Sequence, residues 1–505
     1  MKNQLKSGAV LTFVSLFIGN AISLVYTPFM LRTLGQVEYG LYGLANSIVG
    51  YLTVLDFGFG NAAIRYTAKY KAENQEEKLK YMYGMFIALY TLIGIVTFLV
   101  GYIFSQNAHV FFKDGLTSDE ICIIKDLLIL ASINLAVSFP FGIFTSIITA
   151  HEKFIFLKVS TILRYIINPL VYIPVLFLGY KAIGLIVATT ILNFIFLLIN
   201  LIYCIYKLKI RVSFKKFDFP LLKEIFKYSV WVFVGSIVNQ LWWNSGQFML
   251  GIYSSAVSIA IFNLAMQFKS YFESFATSIS GVFLPRLTSM ESNKASDEDF
   301  TNLFIKVGRL QFILISLITT GFILFGQQFI SIWAGEDYNY AYYVTLIIFI
   351  PLALVDTQTL GIAILQAKNK HKFRSIVYLF VAIFCIVICI PFIKKFDVIG
   401  CASATALALT IGNLFIMNWY YHKKINLDVL KFWKEILKML PGVLVSTIIM
   451  WLGIKYLFPN LNTYRILLPF ILLYVMLYFV TMYFVSFNEY EKNLINGIVR
   501  KLRRL

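Results

Sequence analysis

The chain has 505 residues, of which 59% are hydrophobic and 14% charged. A soluble domain is nearer half apolar and a quarter charged, so this composition excludes an ordinary soluble protein. The formal net charge is +19, but basic residues collect in the cytoplasmic loops of membrane proteins, and we expect no nucleic-acid partner.

Apolar segments about 20 residues long run through the sequence, the length that crosses a ~30 Å hydrocarbon core as a helix. A membrane barrel would instead show alternating segments of ~10 residues. The sequence therefore predicts an all-α polytopic membrane protein with about fourteen transmembrane helices, near residues 9–31, 40–64, 80–104, 123–149, 155–178, 182–206, 224–250, 254–285, 304–330, 340–366, 373–393, 398–421, 436–457 and 464–487.

The distribution of Lys and Arg tests these spans. Alternate connections, counted from the N-terminus, carry 34 of the 44 Lys and Arg; the other connections carry 8, and Arg164 and Lys269 lie within spans. Basic residues mark the cytoplasmic side, so both termini are predicted to be cytoplasmic. The first apolar run is longer than the 7–15 residues of a cleaved signal and is predicted to be a retained helix.

Short matches recur about 219 residues apart and indicate an internal duplication. They pair residues 29–31 with 248–250, Lys153 with Lys372, 182–184 with 398–400, and Asn193 with Asn413. The period covers six spans, so the two halves run in the same direction. We predict a six-helix lobe at 1–215, a second lobe at 216–425, and two additional helices with a basic cytoplasmic tail at 426–505. In transporters built from such repeats, the substrate site lies between the halves.

Two motifs lie near the N-terminus: LRTLGQVEYGLYGL at 31–44 and LDFGFGNAAIRYTAKY at 55–70. The Leu-Gly and Tyr-Gly pairs, the Asp-x-Gly and the basic end of the second span resemble the polysaccharide (O-antigen, or Wzx-type) flippases of the multidrug/oligosaccharidyl-lipid/polysaccharide exporter superfamily. The resemblance extends over the whole chain in topology.

That resemblance implies two six-helix lobes around a central cavity, alternating access, and a place in the bacterial cytoplasmic membrane. The implied cargo is an undecaprenyl-diphosphate-linked oligosaccharide for a surface polysaccharide such as lipopolysaccharide or capsule. Membrane lipids and other polysaccharide assembly proteins are the implied partners. The flip would be driven by the membrane potential or by a gradient of H⁺ or Na⁺, with no cofactor.

Ionisable residues inside a bilayer usually face a cavity and mark a substrate path. Lys269 and Glu273 are four residues apart in the eighth predicted span and share a helix face. Lys269 is predicted to contact the diphosphate, with Glu273 tuning its charge; the alternative is a neutral pair that fixes helix packing. The resemblance adds that a cationic residue of this span faces the cavity.

Two acidic residues lie in other predicted spans. Asp56, in the second span, is either a proton or sodium site or a gate partner for a cation. The alternative is a structural role, as a buried salt bridge with Arg65 or Arg164 or as a helix-end contact. Asp356, in the tenth span, is followed by Thr357 and Gln358. Its alternatives are ligation of a coupling ion and structural capping.

Two arginines complete the candidate cavity residues. Arg164, in the fifth span, suits bidentate phosphate binding, or its side chain extends to the inner membrane face, which we favour. Arg32 lies at the outer end of the first span. In relatives a basic residue on this helix lines the cavity, although Arg32 lies close to the outer edge.

Catalytic and cofactor chemistry has little support in the sequence. The G-x-G-x-x-A pattern at 58–63 lies inside a predicted span, whereas a dinucleotide fingerprint needs a preceding strand. The five cysteines show no metal spacing. No connection exceeds about eighteen residues, which disfavours a membrane polymerase or glycosyltransferase. Two alternatives remain. One is a drug exporter of the same superfamily, with an acidic cavity, and the other is a lipid scramblase or a structural partner of a polysaccharide complex.

Overall fold

The computed structural model describes residues 2–215, 217–370, 372–457 and 463–502, and the regular structure within these ranges is helical. Two compact units interleave along the chain. The first comprises Met1–Asn263 and Ala382–Cys401, and the second comprises Leu264–Val381 and Ala402–Leu505. The predicted lobe boundaries at 215 and 425 stay a prediction.

The first unit holds most of the N-terminal helices. They are α1 (Lys2–Leu52), α2 (Phe59–Ala72), α3 (Glu76–Gln106), α4 (Ala108–Phe112), α5 (Ser118–Ala150), α6 (Phe154–Phe177), α7 (Lys181–Tyr206), α8 (Phe219–Tyr253) and the start of α9 (Ala256–Ser280). Helix α5 packs against α3 and α7, and α1 packs against α6. Gly94 permits the close approach of α3 to α5, because a Cβ there would lie 2.5 Å from the Ala136 carbonyl oxygen.

The second unit holds the remaining helices. They are the end of α9, α10 (Leu284–Ser292), α11 (Asp297–Trp333), α12 (Ala341–Thr357), α13 (Leu360–Ala367), both ends of α14 (Lys372–Leu409), α15 (Met417–Lys424), α16 (Val429–Leu437), α17 (Leu440–Leu457), α18 (Tyr464–Thr481) and α19 (Glu489–Leu502). Its core packs α11 against α12, α16 and α18. Ser296 and Asp299 form a capping box that begins α11.

Two of the helices contain a break at a single residue. Gly35 in α1 has φ +73°, and Asp397 in α14 has φ +52°, which are both outside the helical region. Asp397 is held in this conformation by the hydroxyl groups of Ser254 and Ser258, which donate to its carboxylate. Each break falls in a connection that the sequence predicts, between spans one and two and between spans eleven and twelve.

Nine helices in the described part of the chain are long and apolar enough to cross a membrane, or ten if one bent pair is counted as a span. Two of them, Leu11–Ala72 and Lys372–Lys424, are 62 and 53 residues long. A helix of 20 residues already spans 30 Å, and two predicted spans fall within each of these segments. The polytopic helical fold is confirmed, whereas the count of fourteen stays a prediction.

Candidate functional site

Helix α9 places Lys269 and Glu273 on one face, one helical turn apart. The Lys269 Nζ lies 2.7 Å from the Glu273 Oε2, and the side chains are 7% and 29% exposed. Both residues belong to the second unit. The predicted pairing is therefore present as a largely buried ion pair, which the low dielectric of the interior strengthens.

A second carboxylate belongs to the same cluster. Asp356 lies at the end of α12 with 7% of its surface exposed, and it interacts electrostatically with Glu273 and Lys269. Within the described residues, its Oδ2 is buried and has no hydrogen-bond partner. One ammonium group thus interacts with two carboxylates, one by direct contact and one at longer range, and the cluster carries a formal charge of −1 when all three are ionised.

The backbone beside Asp356 is broken. Helices α12 and α13 meet at a 44° bend, so the predicted tenth span, 340–366, is two helices rather than one. The Thr359 hydroxyl donates to the Asp356 carbonyl oxygen at 2.7 Å. This bond replaces one of the backbone hydrogen bonds that the helix loses at the bend. Discontinuous helices within membranes expose backbone and side-chain oxygens that suit ion binding.

A polar network continues from the bend. The Gln358 Nε2 donates to the Asn413 carbonyl oxygen at 2.9 Å, and the Tyr378 hydroxyl donates to the Asn413 Oδ1. Asn413 lies in a π-helical segment, Thr410–Ile416, and such segments are frequent at functional sites. Among the described residues, the Gln358 Oε1 is also buried without a partner. Buried acceptor oxygens of this kind suit a hard cation.

Asp56 lies in the first unit, at the end of a 3₁₀ turn, Thr53–Asp56. The Tyr90 hydroxyl donates to its Oδ1 at 2.7 Å. Phe57 and Gly58 have positive φ angles of 53° and 75°. The carboxylate thus joins this turn of the second predicted span to α3 through Tyr90, and an additional role in ion binding stays a prediction.

The structure places the two candidate arginines in the first unit. The Arg164 guanidinium lies 4.8 Å from the centre of the Phe196 ring, so α6 and α7 share a cation–π contact. Arg32 is an exposed residue of α1, three residues before the break at Gly35. Their predicted contacts with a diphosphate stay predictions.

The sequence does not mark Tyr90 or Tyr378 as site residues, and it marks Gln358 only as a polar neighbour of Asp356. The sequence points to Asn413 only as the repeat partner of Asn193. In the first unit, the Asn193 Nδ2 donates to the Asn134 Oδ1 and the Ser138 Oγ, at 2.7 Å each. Both repeat-related asparagines therefore hold hydrogen-bond networks, and the repeat was the signal that could have found them.

The helical architecture is similar to that of membrane transporters with known structures. The lipid II flippase MurJ, in an inward closed conformation, is similar with a TM-score of 0.74 and 19% identity, over 96% of this chain and all of that chain. A multidrug resistance MATE family transporter of the MOP superfamily, in an inward-facing conformation, is similar with a TM-score of 0.62 and 10% identity, over 82% of this chain and 98% of that chain. These likenesses establish the transporter fold.

Sequence comparison gives the family. A protein of Shigella flexneri named "Putative O-antigen transporter" is 21% identical over 417 residues, which cover 80% of this chain and 94% of that protein. The family model described as "Polysaccharide biosynthesis protein" matches residues 5–291, more than half of the chain. The chain therefore belongs to the polysaccharide biosynthesis protein family, and the predicted family and fold are confirmed.

Proposed function

We propose that this protein is a flippase that moves lipid-linked oligosaccharide units across the cytoplasmic membrane for surface polysaccharide biosynthesis. The family and the names of the related transporters support this class of cargo. The observation that carries the mechanism is the buried cluster of Lys269, Glu273 and Asp356, because it places a cation beside acids that can change their charge.

In the proposed mechanism, Lys269 binds the diphosphate of the carrier lipid. The Lys269 ammonium contacts Glu273 at 2.7 Å, and the net charge of the cluster opposes an anion. Uptake of H⁺ or Na⁺ at Asp356 cancels that excess negative charge and lets the ammonium contact a phosphate oxygen. Release of the ion restores the Lys269–Glu273 pair and expels the diphosphate. The coupling is thus an electrostatic exchange between one cation and one anion.

The proposal includes finer features that follow from the resemblance. The carrier is undecaprenyl diphosphate, the membrane is bacterial, and both termini are cytoplasmic. The cycle breaks no covalent bond, so the protein is a transporter and not an enzyme. The related proteins are likewise named as transporters or flippases.

Flipping in proteoliposomes tests the role of Lys269. A fluorescent undecaprenyl-diphosphate oligosaccharide is reconstituted with wild type, with Lys269→Gln, or with Lys423→Gln as the matched control, since Lys423 is exposed on α15. Loss of a charge-assisted contact should slow flipping by roughly tenfold or more in Lys269→Gln only. Equal rates in the three proteins would remove Lys269 from the site.

The same assay tests Asp356. In Asp356→Asn the charge excess is cancelled permanently, so flipping should continue down the substrate gradient but lose its dependence on an imposed H⁺ or Na⁺ gradient. If the variant still responds to the gradient as wild type does, coupling does not use Asp356.

A small organic cation is the second candidate cargo. Two carboxylates against one ammonium favour a cationic substrate, and the fold is shared with a multidrug transporter. The same proteoliposomes, loaded with a fluorescent organic cation, distinguish the two candidates. Cation efflux without lipid flipping would establish the exporter.

A further inference from the structure

Helix α16 is a short helix that packs against the second unit through one face. Its nine residues span about 14 Å, far less than a membrane. Val429, Phe432 and Ile436 are buried, and the Phe432 ring stacks on Phe304 with 4.2 Å between ring centres. Gly308 leaves room for that ring, because a Cβ there would lie 2.3 Å from it. The inner face of α16 is therefore firmly packed.

Both ends of α16 are also fixed. At its start, the Asp428 Oδ1 accepts a hydrogen bond from the Lys431 backbone N–H at 2.9 Å. At its end, the Arg309 Nη1 donates to the Glu435 carbonyl oxygen at 2.8 Å. The orientation of the helix, and hence the direction of its outer face, is set by these contacts.

The outer face has an apolar edge and a basic edge. At 3.6 residues per turn, Leu430 and Leu437 lie along one edge and are 73% and 57% exposed. Trp433 lies beside them and is half-buried against the core of the second unit. The adjoining edge carries Lys431, Lys434 and Lys438, all exposed. Lys438 also pairs with Glu435 on its own helix, which leaves the first two lysines as the main positive charge.

We propose that this outer face of α16 binds anionic phospholipids of the cytoplasmic leaflet. A helix with an apolar edge beside a basic edge lies in the membrane interface, with its apolar side chains at the acyl boundary and its lysines among the headgroups. The predicted orientation places the connection between spans twelve and thirteen on the cytoplasmic side, where anionic lipid attracts basic segments. The surface anchors α11 and α16 at the interface, whatever the transported cargo.

Quenching of Trp433 fluorescence tests this assignment in the full-length protein. The protein is reconstituted in phosphatidylcholine bilayers that contain either brominated phosphatidylglycerol or brominated phosphatidylcholine, and the signal of Trp433→Phe is subtracted. Wild type should show roughly twofold stronger quenching by the anionic lipid, and high salt should weaken this preference because it screens the charges. This comparison between two lipids uses the same wild-type protein, so a difference in folding cannot cause the difference in quenching.

The double substitution Lys431→Gln with Lys434→Gln should abolish the preference and leave quenching by phosphatidylcholine unchanged. The matched control is Lys113→Gln with Lys395→Gln, which removes two exposed lysines of predicted outer connections and should retain the preference. Equal quenching by both lipids in wild type would overturn the headgroup assignment. Absence of quenching by either lipid would place the face in water, as a surface for a soluble partner, and would also overturn the proposal.

Discussion

Arg309 is a cation of α11 that is only 3% exposed. Its Nε and Nη2 donate to the two carboxylate oxygens of Glu491 at 2.6 and 2.8 Å, and Nη2 also donates to the Ser486 carbonyl oxygen at 3.1 Å. A planar guanidinium can make such parallel hydrogen bonds, which a lysine cannot reproduce. Arg309 thereby joins α11 to α16 and α19, since it also binds the Glu435 carbonyl.

Arg309→Lys should therefore destabilise the protein. One ammonium cannot replace the bidentate contact, so Glu491 would keep a buried, poorly paired charge, at a cost of about 3 kcal/mol. The measurement is the unfolding free energy of the purified protein in detergent. Lys423→Arg, a cation exchange at an exposed position, should change it by less than about 0.5 kcal/mol. Similar unfolding free energies for the two variants would mean that the hydrogen bonds of Arg309 contribute little to stability.

At the scale of elements, the second unit depends on close packing between helices of very different length. The 37-residue α11 contacts the nine-residue α16 along one face. A short isolated helix is not stable in water, so its stability comes from the packed face. A side chain added at that contact should therefore displace the short α16 more readily than the long α11.

Gly308→Ala should destabilise this contact by about 1–3 kcal/mol, because the new methyl group would force the Phe432 ring to move. Gly453→Ala in α17 is the matched control, since a Cβ there meets no atom within 4 Å. Alanine is the better helix former, so the control should be unchanged or more stable. Thermal unfolding and Trp433 emission report stability and the position of α16; identical behaviour of the two variants would contradict the packing argument.

At the scale of the molecule, both units display large apolar side chains on their surfaces. Phe17 and Phe177 in the first unit, and Phe484 in the second, are 76%, 74% and 76% exposed. Soluble monomers rarely expose extended apolar patches, whereas lipid covers them without cost. Both the exposed apolar side chains and the long apolar helices therefore indicate a membrane environment.

Labelling of cysteine tests the predicted orientation of the whole chain. Cys122 is exposed near the start of α5, on the predicted outer side, and the other four cysteines are buried. A membrane-impermeant maleimide should therefore label wild type in intact cells, and Cys122→Ser should lose the label.

The complementary variant combines Cys122→Ser with Lys423→Cys, which places a thiol on the predicted inner side. It should be labelled only after the cells are permeabilised. Labelling of this variant in intact cells would reverse the predicted orientation.

The sequence alone determined the fold class, the family resemblance and the pairing of Lys269 with Glu273. Span length and charge asymmetry are properties of contiguous segments, and residues four apart meet on any helix. The helix breaks at Gly35 and Asp397 fall between predicted spans for the same reason, because polar residues interrupt the apolar runs there.

Tertiary structure alone decided which distant groups meet. Asp356 joins the Lys269 cluster from another helix, Tyr90 reaches Asp56 across 34 positions, and Glu491 reaches Arg309 across 182. The break between α12 and α13 was hidden because both halves are apolar. Helix packing sets these contacts. When a helix is apolar on every side, its sequence carries little information about which face contacts which neighbouring helix.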